Sequence, residues 1–461
     1  MRFTGCILAY IRILQQAPVL KLDSNERIVR STELFFSNQL KIPSFPLDLK
    51  SGRTSVLGST ALGAILAHSL LGELKAQDAD MLQAAIDQAL VLERTSTFRG
   101  HEMGVDEVLY GRTGLLWALL QMDEANGEGK VRWNEENLST KKSILNILHV
   151  SIPKLCRTII QAGLDGAADF VKQHGSEDSM PLMWSWIDSF YSLGLMHGIT
   201  GILSVLLSTH LTRFEPKLLE EHGEEIAETI TELCKISIKH NGQLPMSVPH
   251  WPSEETRVSP LVQICHGAPG LLMVLAFAGL NGPFARRFYK SFWVEALHIA
   301  SRRVWEQGIL SKGGGLCHGI AGNAWTLLVL HDAFDHALIP VECIDACGEE
   351  VKRDLLKDGH LCGEWFLERA VAMLLECRNT RPFVDNDKYR WPDSPYSLFE
   401  GLAGTVCAWM EAALTVRAKM RKMELQNGGI TSPTEDKEYW GILQAKLGFP
   451  GIGFSIDVEG C

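Results

Sequence analysis

Two kinds of apolar pattern alternate along this chain. In "LLEEHGEEIAETITELCKISIKH" (Leu218–His240), Leu219, Ile226, Ile230, Leu233 and Ile236 fall on one stripe and acidic residues fill much of the rest. Apolar positions recurring three and four apart predict a helix with one buried side. "FYKSFWVEALHIASRRVWEQG" (Phe288–Gly308) and "CGEWFLERAVAMLLECRN" (Cys362–Asn379) read the same way. The second kind, such as "GAPGLLMVLAFAGL" (Gly267–Leu280), is apolar nearly all round. Such a helix must be covered on every side. The alternation predicts helical hairpins in two concentric layers, the inner helices packing among themselves and the outer ones shielding them. Strand signals are sparse.

The inner-type helices share a start, Gly-x-x-Gly. It stands in "YGRTGLLWALL" (Tyr110–Leu120), "HGITGILSVLL" (His197–Leu207), "CHGAPGLLMVL" (Cys265–Leu275), "CHGIAGNAW" (Cys317–Trp325) and "EGLAGTVCAWM" (Glu400–Met410). The copies begin at Gly111, Gly198, Gly267, Gly319 and Gly401, separated by 87, 69, 52 and 82 residues, too irregular for a uniform solenoid. "STALGAILAHSLL" (Ser59–Leu71) is a degenerate sixth, with Thr60 for the first glycine. A glycine before a helix permits a turn with positive φ, and a pair three apart permits close approach of backbones. Pro- and Gly-bearing loops lie at Ser44–Gly52, Asn241–Glu255 and Asp385–Ser397; the last two lead into motifs, so these loops are expected to gather at one end of a barrel. Residues 51–461 read as one domain and residues 1–50 as an N-terminal extension.

Composition narrows the function. Of 461 residues, 46% are apolar and 21% charged, as in soluble globular proteins. A net charge of −11 with no Lys/Arg cluster argues against a nucleic-acid partner. Eleven cysteines without dense spacing point to a reducing compartment, with the cytoplasm as the expected place and peripheral membrane contact left open. The N-terminal apolar run is broken by Arg12 and followed by no small-residue cleavage site, so it does not read as a signal peptide. Ala268–Leu280, at thirteen residues, is too short to span a bilayer, and no transmembrane segment is expected.

Two motifs carry chemistry as well as glycine. Cys265-His266 and Cys317-His318 occupy equivalent places in two repeats. Thiolate and imidazole are zinc ligands, three of them leaving an open catalytic position and four closing a structural one. Adjacent side chains diverge, so a three-ligand set and a complete Cys₂His₂ set both remain open on spacing alone. His197 precedes Gly198 as the other two histidines precede Gly267 and Gly319. In a toroid all three would face one opening, where a histidine titrating near neutral pH can act as general acid or base.

Taken together, "YGRTG", "HGITG", "CHGAPG", "GGGLCHGIAGNA" and "PDSPYSLFEGLAG" resemble the lanthionine synthetase C-like family, its eukaryotic branch in particular. The resemblance runs from about Ser59 to Phe449–Phe454. It implies an all-α, double-layered α/α-barrel (an α/α toroid) with seven inner helices, of which six are led by the motifs above. It implies one zinc ion per chain on Cys265, Cys317 and His318, with the fourth position left to a substrate thiol. It places the active-site histidine at His197, pocket residue His266 outside the metal's ligand set, and glutathione-binding cations at Lys312 and Arg390. Gly314 stands where the family often has an aromatic residue, and Ile264 where it often has Trp before the first Cys; both changes are expected in the pocket wall. The implied reaction is addition of glutathione to dehydroalanine or dehydrobutyrine in peptides or proteins, forming a thioether. The alternatives are an intramolecular lanthionine-type cyclase and a non-catalytic adaptor that binds zinc and glutathione.

Overall fold

The computed structural model describes residues 2–21, 53–126, 137–252, 260–336, 339–357, 360–429 and 436–453. The loop at Ser44–Gly52 therefore lies outside the described residues, as do parts of 241–255 and 449–454. The longer helices are α1 (Arg2–Leu20), α2 (Thr60–Leu71), α3 (Ala76–Val91), α4 (Arg112–Asn126), α5 (Leu138–His174), α6 (Ile199–Leu206), α7 (Leu218–Lys239), α8 (Ala268–Leu280), α9 (Ser291–Gln307), α10 (Ile320–Asp335), α11 (Glu364–Glu376), α12 (Leu402–Asn427) and α13 (Lys437–Gln444). Strands are confined to short two-stranded ribbons.

The helices form an α/α toroid. Inner helices pack in a closed order, α1 on α2, then α4, α6, α8, α10 and α12, with α12 returning to α1. The outer helices cover them: α3 lies on α2, α5 on α4, α7 and α9 on α8, and α11 on α10 and α12. Every residue from Ala268 to Gly279 of α8 is buried, as its all-round apolar sequence requires. On α7, Ile226, Ile230, Leu233 and Ile236 are buried while Leu219 is partly buried against the core. One apolar cluster runs from Leu8 to Ile452. The outer helix α5 is long and apolar enough to cross a membrane, but its buried stripe, including Ile144, Leu148, Leu155 and Ile159, packs on the barrel.

The seventh inner position belongs to α1, which carries no motif. Ile7, Leu8 and Ile11 are buried, and so are two polar residues, Arg12 and Gln16. Their partner is Glu411 of α12: Gln16 Nε2 donates to its Oε2 at 3.0 Å and Arg12 lies 3.4 Å from the same oxygen. Gly448 N donates to Oε1 at 3.0 Å. A buried carboxylate is tolerated when its oxygens are paired in this way.

Close approach, rather than positive φ, explains most of the glycine pairs. Among first glycines only Gly267 is left-handed, with φ 110°; Gly198, Gly319 and Gly401 are extended at −142°, −129° and −129°. At the second glycine, an added Cβ would stand 2.0 Å from Val108 O at Gly114, 1.7 Å from Leu195 O at Gly201, 1.8 Å from Leu316 O at Gly322 and 1.9 Å from Leu398 O at Gly404. In each case the oxygen belongs to the loop that leads into the helix, folded down against the helix's first turn. Gly201→Ala should therefore lower stability by roughly 1–3 kcal/mol, the cost of overpacking, read as a lower denaturant midpoint. An unchanged midpoint would refute the close-approach account.

These loops are tied into a belt. Ser55 N donates to Tyr110 O (3.0 Å), Leu109 N to Met196 O (3.3 Å), Leu195 N to Ile264 O (3.1 Å), Cys265 N to Cys317 O (3.1 Å) and Cys317 N to Phe399 O (2.7 Å). The belt places the residues just before each Gly-x-x-Gly side by side at one end of the barrel.

Candidate active site

A cavity of about 660 Å³ opens at the belt. Its wall includes Tyr110, His197, Cys265, His266, Lys312, Cys317, His318 and Glu400, contributed by five consecutive inner-helix loops. Ser394 and Ser397, from the loop before α12, complete one side. A larger groove of about 750 Å³ lies between α5 and the 95–104 hairpin, but no Cys or His lines it, and its Arg112 and Arg94 are paired with Asp106 and Asp169.

Cys265, Cys317 and His318 converge in the cavity wall. Their donor atoms all lie within 4.8 Å of one another, with His318 Nδ1 3.8 Å from Cys265 Sγ. The two sulfurs are joined as a disulfide in the structure, with Cα atoms 5.6 Å apart. In that form they stand in for two thiolates; reduction breaks the S–S bond, and the two sulfurs then move apart to the separation that two ligands of one metal require. Two thiolates and one imidazole, with the remaining side facing a cavity, fit a zinc ion that keeps an open coordination position. No other group of three or more candidate ligands is found among the described residues. Burial, then the charge on Lys312, lowers the His318 pKa to about 4 against the pull of Asp393, so its imidazole is neutral at physiological pH, the form that ligates. Glu400 Oε1 stands 3.9 Å from His318 Nε2, on the ring edge away from the sulfurs.

His197 stands in the same wall with a partner that the motifs do not reveal. Its Nδ1 lies 2.6 Å from Glu107 Oε2. Glu107 is buried, its side chain 5% exposed, and its other oxygen accepts the Tyr110 backbone N–H. An ionised carboxylate only accepts, so the proton on His197 sits at Nδ1 and Nε2 is left for chemistry. Burial and the nearby Glu107 raise the Tyr110 pKa, keeping its hydroxyl protonated. The His266 ring centroid is 6.1 Å from that of His197, so it borders the site without joining the sulfur cluster.

The two cations separate. Lys312 is at the cavity, close enough to depress His318. Arg390 is exposed and does not line the cavity; only its backbone approaches, donating to Ser311 O at 2.8 Å. Nor do Gly314 and Ile264 lie in the pocket wall. Ile264 is fully buried against Gly322, and a Cβ at Gly314 would meet Thr405 Oγ1 at 2.9 Å.

Comparison with known sequences agrees with this fold. The sequence model for lanthionine synthetase C-like proteins matches residues 48–425. The Danio rerio protein named glutathione S-transferase LANCL1 is 26% identical over 369 residues, 80% of this chain and 72% of that protein. The LanC-like protein GCL1 of Arabidopsis thaliana is 28% identical over 319 residues, 69% of this chain and 58% of that protein.

Proposed function

This chain belongs to the lanthionine synthetase C-like family, and we propose that it adds glutathione to dehydroalanine or dehydrobutyrine residues of peptides or proteins, on a zinc ion held by Cys265, Cys317 and His318. The observation that carries the reading is one cavity wall that unites two sulfurs and a neutral imidazole with a carboxylate-oriented histidine. The zebrafish relative's name supplies glutathione as the thiol.

Bound zinc would hold a substrate thiol as thiolate at pH 7, where a free thiol is mostly protonated. The remaining work belongs to side chains. The sulfur forms a bond to the β-carbon of the unsaturated residue, and the π electrons move onto the α-carbon and its carbonyl. His197 Nε2 takes up the proton that the thiol gives up and passes it to that carbanion, so the net change is addition of S–H across the double bond. Glu107 holds the His197 ring by its Nδ1, with Nε2 turned to the reacting atoms. Lys312 faces a carboxylate of the tripeptide, and Arg390 reaches a bound ligand only by turning inward from its exposed position. His266 lines the acceptor's side of the cavity. A thiolate ligand set needs reduced sulfurs, which supports the cytoplasm as the working compartment.

The test is turnover. Reduced, zinc-loaded protein incubated with glutathione and a dehydroalanine peptide should yield the thioether adduct by mass spectrometry. Zinc and glutathione binding without adduct would favour the adaptor reading. A ring closed within a cysteine-bearing peptide, with glutathione ignored, would favour the cyclase.

A further inference from the structure

Three aromatic residues behind the cavity's histidines are not accounted for by the core. Trp184, two positions earlier, is a core residue: it is 3% exposed and its Nε1 donates to Ile159 O at 2.8 Å. Trp186, Phe190 and Trp251 are only half-buried and stand outside the buried apolar cluster. They touch one another, with the Trp251 ring 5.4 Å from Trp186 and 4.7 Å from Phe190. Trp186 in turn stands 5.6 Å from His197 and 5.5 Å from His266.

The backbone works to keep them there. Trp186 N donates to Phe190 O and Phe190 N to Ile187 O, both at 2.8 Å, closing a tight turn. Inside it Asp188 and Ser189 are left-handed, with φ 45° and 65°, which non-glycine residues adopt at a cost of order 1 kcal/mol each. The turn is anchored by Asp188, whose carboxylate accepts from Glu102 N at 2.9 Å and pairs with His101 Nδ1 at 2.6 Å. Gly104 N donates to Trp186 O at 2.8 Å, and Tyr191–Ser192 pairs with Ser247–Val248 in the loop that carries Trp251. Two loops are thus joined to set an aromatic surface beside two histidines.

We infer that Trp186, Phe190 and Trp251 are the specificity subsite for the electrophile, a shelf that receives an apolar side chain next to the dehydroamino acid. The inference rests on the thiol-addition reading. The two sides of the cavity differ in chemistry: Lys312 lines the wall that holds His318 and suits an anionic thiol, whereas aromatic rings flank His197 and His266. The proton donor must meet the acceptor's α-carbon, so the neighbouring side chain of a bound peptide falls beside His197, where Trp186 stands. Aromatic faces bind apolar groups by burial and dispersion, without requiring a charge.

The experiment compares dehydroalanine peptides that carry Phe, Leu or Gly beside the unsaturated residue, with glutathione and zinc-loaded protein. Wild type should favour Phe over Gly by about tenfold in kcat/KM, the yield of partly burying one apolar side chain. Trp251→Ala, which removes part of the shelf at a residue whose ring packs on Trp186 and Phe190, should bring that ratio close to one, and Trp251→Phe should restore most of it. Zinc content checks that each variant is folded. A wild-type ratio near one, or a Trp251→Ala variant that slows both peptides equally and keeps the ratio, overturns the subsite. No turnover of any acceptor by zinc-loaded wild type would instead bring down the thiol-addition reading, and the subsite with it.

Discussion

Cys317→Ala should empty the metal site and leave the barrel standing. Reduced wild type is expected to bind about one zinc per chain and the variant close to none, because a three-ligand site that loses a thiolate keeps too few donors. The fold should survive because what Cys317 contributes to the belt is backbone: its N–H donates to Phe399 O and its carbonyl accepts from Cys265 N. Alanine preserves both bonds. Metal analysis beside circular dichroism reads the two quantities separately, with thioether formation as a third. A folded, reduced wild type that takes up no zinc would refute the site, as would a variant that keeps a full equivalent.

His197→Ala should do the opposite, keeping zinc and losing turnover by about 10²–10⁴-fold, the usual scale for a general acid or base. His197 is held by Glu107, through Nδ1, and is not one of the three residues that would bind the metal. Glu107→Gln is the sharper companion. An amide can turn a donor toward Nδ1, which would favour the tautomer with its proton on Nε2. That variant should lose less than the alanine variant and should show an altered pH profile of kcat/KM. Full activity in His197→Ala would remove the histidine from the mechanism, whatever becomes of the metal.

Much of this arrangement was legible before any coordinates, and the reason is specific. The Gly-x-x-Gly pairs mark places where a loop folds onto the first turn of an inner helix, a steric demand that leaves a visible mark in sequence. The Cys-His repeats were legible because equivalent loops in a toroid meet. What escaped notice left no such mark. Glu107, within "DEVLYG", looks like a solvated acid, and only the fold shows it buried against His197. Trp186 and Trp251 are far apart in sequence and are joined by a two-residue ribbon too short to leave a strand pattern. The place of α1 was illegible because it lacks the glycine motif; its buried Arg12 and Gln16 make sense only opposite Glu411. Arg390 shows the converse, a residue in the expected segment whose side chain lies outside the cavity.

The contact between α1 and α12 makes the barrel a circuit that the ribosome cannot close until late. Arg12 and Glu411 are 399 positions apart, so α1 lacks one of its two inner neighbours until the intervening helices have all been made. Loop closure over that distance is entropically costly and slow compared with pairing successive hairpins. Until it happens, Arg12, Gln16 and Glu411 must remain hydrated, and the apolar flanks of α1 and α12 are open to other chains. A chain interrupted before Glu411 would carry both cysteines and every histidine of the cavity, yet would leave an unsealed seam beside them. Vulnerability to aggregation during synthesis should therefore concentrate at this junction, far from the sulfur and imidazole chemistry.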